Sequence, residues 1–319
     1  MKILSYRDAH GIDSVGALLD DGTVADLSTL VPGLTKGPIS PLRQLLTATE
    51  GRAPFTRADL DTCARSELSA LTVSPLVPDA TKIIAAPVNY KDHQAEMMED
   101  FHIDALGVFL KAPSSVIAHG GSVRLPYLDR RFDQEGELAL VIGRTCRNVP
   151  ASEADSVIAG YTCLLDITMR GGEDRSTRKS FDTFTPVGPY LVTADDVGPL
   201  DELQLRTTVN GVLRQDADIA DLIWGVPELV SYVSSVMTLH PGDIISTGTP
   251  AGVGQIHAGD TVSVDIDRVG SLTVSVNADA AVTSPTKGAQ RGPKPPSELT
   301  PVRDRQDDAS RQGTARTSR

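Results

Sequence analysis

Aromatic side chains are scarce, 4% of 319 residues, so any core must rest on the Val, Leu, Ile and Ala that dominate an apolar share of 40%. Cysteine is scarcer still. Cys63, Cys146 and Cys163 are odd in number, widely spaced and form no CxxC pair. That pattern excludes a disulfide framework or a zinc knuckle and points to a reducing cytoplasm. Cys146 and Cys163 are expected in apolar surroundings and read as inert core thiols. Basic charge is also short, 30 Lys and Arg against 42 Asp and Glu, a net of −12. Nucleic acid is thereby excluded as the main partner, since phosphate binding draws on a surplus of Lys and Arg. No apolar run approaches the roughly 20 residues of a membrane helix. The opening MKILSYRDAHG lacks the apolar core of a signal peptide. An acidic body still admits an anionic substrate, because a buried cation reverses the local field.

Three regions follow from patterning. Residues 1–75 suggest a small α+β domain. It has strands over 14–19 and 24–27 about an Asp20-Asp21-Gly22 turn, and helices over 41–46 and 57–71. A Pro-marked connector, SPLVPD, leads to residues 80–282, which read as mostly strand. Asn210-Gly211 marks a hairpin, because both residues tolerate positive φ. Residues 261–266 and 271–276 alternate well. One clear helix follows Gly225, with Leu229, Val230, Val233 and Val236 inward, and ends before Pro241-Gly242. From Thr283 the chain carries five prolines, few large apolar residues and a net charge of +4. It reads as a disordered basic tail whose removal should leave stability and turnover unchanged.

Five short segments could carry chemistry. In FDQEGELALVIG, Glu135 and Glu137 are two apart and share a strand face. Side by side they repel, and a hard cation between them would remove that penalty; a solvated strand end is the plainer alternative. Asp166 ends the apolar run GYTCLLD. Beside the Glu pair it would complete a carboxylate site for Mg²⁺ or Mn²⁺, with Ca²⁺ as a further candidate; alone it would be a helix cap or turn residue. In NYKDHQAEM, His93 and Glu96 are neighbours on one helical turn, an arrangement that suits a general base or a simple surface pair. Lys179, in RKSFD, could hold an enolate or carboxylate oxygen, or be an ordinary surface cation. TGTPAGVG follows the strand ending at Ser246. Its glycines let backbone N–H groups approach an anion, though it is neither a Walker A loop nor a GxGxxG turn.

Together, and in order, NYKDHQAEM, FLKAPSS, EGELALVIG, GYT…D, KSFDTFTPVGP, VNGVLRQ and PGDIISTGTPAGVG resemble the fumarylacetoacetate hydrolase family over residues 80–278, with a weaker match over 1–75. The resemblance implies an α+β, mostly β fold: a mixed β-roll catalytic domain behind a small N-terminal domain, assembled as a homodimer. It implies metal ligation by Glu135, Glu137 and Asp166, and a catalytic dyad of His93 and Glu96 on a mobile lid, with Lys179 at the enolate. It implies substrate-binding roles for Tyr90, Arg170 and Thr249. Two departures stand out. The usual Gly before the Asn-Tyr pair is absent from Ala86-Pro87-Val88-Asn89-Tyr90, which stiffens the approach to the lid. Glu173 takes a position where many members carry Gln, and as a substrate-binding position it marks a different pocket.

The expected activity is therefore metal-dependent cleavage of a C–C bond in a small acylpyruvate or 2-oxo acid, in the catabolism of aromatic or related carboxylic acids. The rival within the family is a decarboxylase, or an isomerase of unsaturated 2-oxo diacids such as 2-hydroxyhepta-2,4-diene-1,7-dioate. A non-catalytic metal-binding protein is the reading of another class. The presence of both dyad residues and all three acids argues against it.

Overall fold

The computed structural model describes residues 1–31, 34, 37–288, 295–296 and 298–303. Three sheets dominate. The largest runs in spatial order Arg65–Glu67, Thr23–Asp26, Asp13–Leu18, Lys2–Arg7, Thr185–Thr193, Ile158–Leu165, Gly136–Ile142, Ile244–Ser246, Ile83–Ala85 and Phe109–Lys111. The hydrogen-bonded ladder thus crosses from the N-terminal region into the rest of the chain, with Lys2 and Ile3 opposite Val192 and Leu191. A second sheet, Val212–Asp218, Gln204–Val209, Thr261–Ile266, Gly270–Asn277 and Ser122–Arg124, packs on one face of the first.

The central strand Gly136–Ile142 is buried along its whole length. Its alternation feeds two cores. Leu138, Leu140 and Ile142 meet Leu205, Val264 and Leu272 of the second sheet. Ala139 and Val141 meet Leu42, Leu45 and Leu46 from the helix Pro41–Thr49 on the other side. Apolar residues on both faces leave the mouth of this strand as the place where carboxylates can gather.

Several sequence expectations need correction. The helix expected over 57–71 stops at Asp61. Arg65–Glu67 instead extends the sheet edge, Thr23 to Ala25 facing Glu67 to Arg65, because an available backbone ladder outweighs a weak helical pattern. Val236 is half exposed at the end of the helix Val226–Val236, past the turn that packs inward. Cys146 is only partly buried. The hairpin at Asn210-Gly211 is present, with both residues at positive φ.

The C-terminal region departs most from expectation. Ser284 and Thr286 accept from Arg130, Thr286 donates to Glu173, and Gly172 N–H donates to Gly288. Farther on, Thr300 and Arg303 bond Glu96, Asp218 and Asp221. Most of these contacts are made by polar side chains, which leave no apolar pattern in the sequence. Residues 289–294, 297 and 304–319 of the expected tail lie outside the described residues.

Candidate active site

Register brings the acids together. Gly136 pairs antiparallel with Leu165 and Glu137 with Leu164, so the start of one strand lies beside the end of the other. Asp166 N–H donates to Glu135 C=O at 2.8 Å. Strand parity then puts Glu135, Glu137 and Asp166 on one face. Their ligand atoms lie within 4.8 Å of one another and all three residues are buried. Gly136 faces the other way. A Cβ there would stand 2.0 Å from Thr207 Oγ1, so the second sheet can close over the strand only if the residue between the two glutamates has no side chain.

Cations balance the cluster. Lys179 Nζ donates to Glu135 Oε2 and Asp166 Oδ2, both at 2.6 Å, and to Thr168 Oγ1 at 2.7 Å. Lys111 Nζ donates to Asp166 Oδ1 and to Phe184 C=O. Arg170 bridges Glu135 Oε1 at 2.8 Å and Asp133 Oδ2 at 2.7 Å. Burial would raise the Glu135 carboxyl, but Lys179 and Arg170 outweigh it and hold Glu135 well below the usual range. Glu137 behaves oppositely. Burial first, then negative Asp166 and Glu135, pushes it up to about 8. Burial and these neighbouring charges favour the protonated form of Glu137, whose Oε2 accepts from Ser246 Oγ and from Gly248 N–H. Burial, only partly offset by Asp166, lowers Lys111.

His93 and Glu96 lie on the short helix Lys91–Glu96, with His93 Nδ1 3.0 Å from Glu96 Oε2. Asn89 staples the approach. Its amide donates to Trp224 C=O and Thr247 C=O and accepts from Trp224 N–H. Val88 is held at φ +46°, a strained position for a β-branched residue, at the entry the sequence marked as stiff. The glycine loop does turn its N–H groups toward carboxyl oxygens, and these are the protein's own. Gly248 N–H serves Glu137, and Gly252 N–H serves Glu96 Oε1 at 2.9 Å.

One cavity of about 50 Å³ is lined by His93, Glu135, Glu137, Asp166, Arg170, Lys179 and Thr249. Thr249 Oγ1 donates to Gly136 C=O and accepts from Gln215. Tyr90 and Glu173 stand outside this lining. Tyr90 is buried, and its hydroxyl has no hydrogen-bond partner among the described residues. Glu173 forms a two-pronged ion pair with Arg130, at 2.8 and 2.7 Å. Glu173 thus ties structure together rather than facing the cavity. Sequence reasoning missed Lys111, Arg175 and Arg178. The signal for Lys111 was a lone Lys closing the apolar strand Phe109–Lys111; Arg178 lay one residue before Lys179. Arg178 is buried against the cavity and bonds only carbonyl oxygens, those of Glu173 and Met169, with no carboxylate partner among the described residues.

Buried, convergent carboxylates that could hold a divalent cation, beside a His–Glu pair at the mouth of a mostly β fold, are the arrangement of a metal-dependent enzyme. The profile described as "Fumarylacetoacetate (FAA) hydrolase C-terminal" matches residues 82–277, and the chain belongs to that family. It is 46% identical over 213 residues to a maleylpyruvate hydrolase of Aquipseudomonas alcaligenes, covering 63% of this chain and 74% of that one. The structure is similar to the crystal structure of maleylpyruvate hydrolase from Sphingobium sp. SYK-6 in complex with manganese (II) ion and pyruvate. That match has a TM-score of 0.77 and 36% identity, and covers 87% of this chain and 99% of the other. A 2-hydroxyhepta-2,4-diene-1,7-dioate isomerase from Mycobacterium marinum matches with a TM-score of 0.69 at 30% identity, over 88% of this chain and 99% of its own.

Proposed function

We propose that this protein uses a divalent cation to hydrolyse a carbon–carbon bond in a small acylpyruvate. The observation that carries the proposal is the meeting on one cavity of three buried carboxylates and His93, which Glu96 holds from behind. An all-oxygen donor set without Cys or His fits Mg²⁺ or Mn²⁺ better than Zn²⁺. The manganese in the Sphingobium neighbour supports that chemistry. Glu135, Glu137 and Asp166 would hold the ion. When bound, it supplies Lewis-acid stabilisation of an enolate oxygen. Three carboxylates meet three cations here, Lys111, Lys179 and the shared Arg170. A dication therefore leaves the cavity positive, and an acidic protein acquires a site for an anion.

The chain's own residues account for the remaining steps. His93, its Nδ1 fixed by Glu96, takes a proton from water while the water oxygen attacks the distal carbonyl. Lys179 donates to the oxygen on which enolate charge develops. The bond from the attacked carbon to C3 breaks, and its electron pair becomes the pyruvate enolate, which is protonated at C3. Acylpyruvate and water thus give a carboxylic acid and pyruvate. A cavity of about 50 Å³ admits only a few waters, so the helix Lys91–Glu96 must move for substrate to enter, which supports a lid. Arg178, buried with no carboxylate partner among the described residues, supports a substrate with a second carboxylate.

The second reading, an isomerase or decarboxylase, uses the same enolate and no attacking water; the Mycobacterium marinum neighbour favours it. Pyruvate release from a panel of acylpyruvates and oxaloacetate, with Mn²⁺ or with EDTA, tests the proposal. Full activity in excess EDTA would contradict it. The cytoplasmic homodimer implied by the family resemblance belongs to the same proposal, and light scattering after gel filtration tests its stoichiometry.

A further inference from the structure

The family profile ends at residue 277, yet residues beyond it reach the catalytic dyad. Two groups of contacts hold this extra segment. Ser284, Thr286 and Gly288 bond Arg130, Glu173 and Gly172 on the Arg170 side of the cavity. Residues 298–303 lie against the dyad helix. There Leu299 packs onto Gly254, so closely that a Cβ on that glycine would stand 2.8 Å from Leu299 Cδ2. Thr300 Oγ1 donates to Glu96 Oε1, the same oxygen that accepts from Gly252 N–H. Arg303 forms ion pairs with Asp221 at 2.8 Å and Asp218 at 3.3 Å. Residues 300–303 line a cavity of about 690 Å³ whose lining also includes Lys91 and Asp92 of the dyad helix.

We propose that residues 298–303 are a strap that holds the dyad helix closed, with Thr300 as a positioning residue for Glu96. Two donors on Oε1 fix the carboxylate plane, which leaves Oε2 directed at His93 Nδ1. The short helix Lys91–Glu96 has no side-chain cap of its own. Only His93 and Glu96 within it are buried, so outside contacts must hold it in place. The strap supplies one from beyond the family domain. Substrate entry then requires the strap and the helix to release together. This inference rests on His93 and Glu96 being the catalytic dyad.

The test compares Thr300→Val, Thr300→Ser and a chain ended after Pro296, all as Mn²⁺-loaded protein. Loss of a hydrogen bond to a carboxylate should lower kcat of Thr300→Val about 5- to 50-fold. KM and Mn²⁺ affinity should stay within about twofold, because Thr300 touches neither substrate nor the acid triad. Thr300→Ser keeps the hydroxyl and should recover most of the rate. The shortened chain should show faster amide exchange across residues 91–97, a readout independent of turnover. Wild-type kcat in Thr300→Val would overturn the positioning role, as would equal losses in the Val and Ser variants. Unchanged exchange in the shortened chain would overturn the strap. His93→Ala, assayed in parallel, separates the two levels: if it retains turnover, the dyad reading fails while the exchange result still judges the strap.

Discussion

Replacing Glu137 with Gln should stabilise the metal-free protein and abolish its response to metal. Both Ser246 Oγ and Gly248 N–H bond the same oxygen, Oε2. The Gln carbonyl oxygen can take that place, and its amide N–H₂ can turn as a donor toward Glu135 and Asp166. The gain is the removal of a penalty. Two unit charges within 4.8 Å of each other repel by at least about 3 kcal/mol at an effective dielectric near 20. Glu137 escapes that repulsion by keeping a proton, its carboxyl being raised from 4.5 to about 8. Folding at pH 7 must therefore take up a proton that the unfolded chain would not hold, which costs about 3 kcal/mol. The sign follows. The penalty is absent below the ordinary value, grows between 4.5 and about 8, and is constant above. Gln never carries it. Allowing for the coupling among the acids, we expect a gain of about 2 kcal/mol at pH 7 to 8, roughly 3–8 °C in melting temperature, vanishing near pH 4. Mn²⁺ at about 100 times its Kd should stabilise the wild type by about 2.7 kcal/mol and the variant hardly at all. Thermal melts in EDTA and in Mn²⁺ should thus rank the two proteins in opposite orders. A variant that melts below wild type in EDTA at pH 8, or takes the full Mn²⁺ shift, would refute the reasoning.

His93→Ala should cut turnover by about 10²–10⁴-fold with Mn²⁺ affinity retained, and Glu96→Gln should cost less, because the imidazole remains. A hydrolase stripped of this base keeps slow metal-dependent hydrogen exchange next to the 2-oxo group, seen by NMR, whereas an isomerase using the dyad for proton transfer loses both. Arg178→Ala should raise KM for dicarboxylate substrates by about tenfold or more while leaving monocarboxylates within a few-fold; equal effects on both would rule out a carboxylate-binding role. Gly136→Ala should destabilise the fold by roughly 1–3 kcal/mol in denaturant melts, since its Cβ meets Thr207 Oγ1 at 2.0 Å.

The strands were legible because their periodicity is local. Alternation over 261–266 and the Asn210-Gly211 pair foretold a hairpin ladder that is present. The acid triad was only half legible. Parity alone put Glu135 and Glu137 on one face, but Asp166 joins them through the register with Leu164 and Leu165, a non-local fact. The helix expected over 57–71 failed for the same reason, since the sheet edge that claims Arg65–Glu67 is formed by residues 40 positions away. Lys111 and Arg178 were passed over because Lys and Arg look alike in sequence whether solvated or buried; only the fold shows that they are enclosed. The C-terminal contacts were hidden by composition. Thr286, Thr300 and Arg303 attach through side-chain hydrogen bonds and ion pairs in a stretch with almost nothing apolar.

The central claim is that Glu135, Glu137 and Asp166 hold one divalent cation. Calorimetric titration of the EDTA-treated protein with Mn²⁺, in two buffers of different ionisation enthalpy at pH 7, tests it most directly. The account predicts one site per chain, a proton released on binding because Glu137 must ionise to serve as a ligand, and loss of that site in Glu135→Ala. Binding that persists undiminished in Glu135→Ala, or no binding to the wild type, would contradict it.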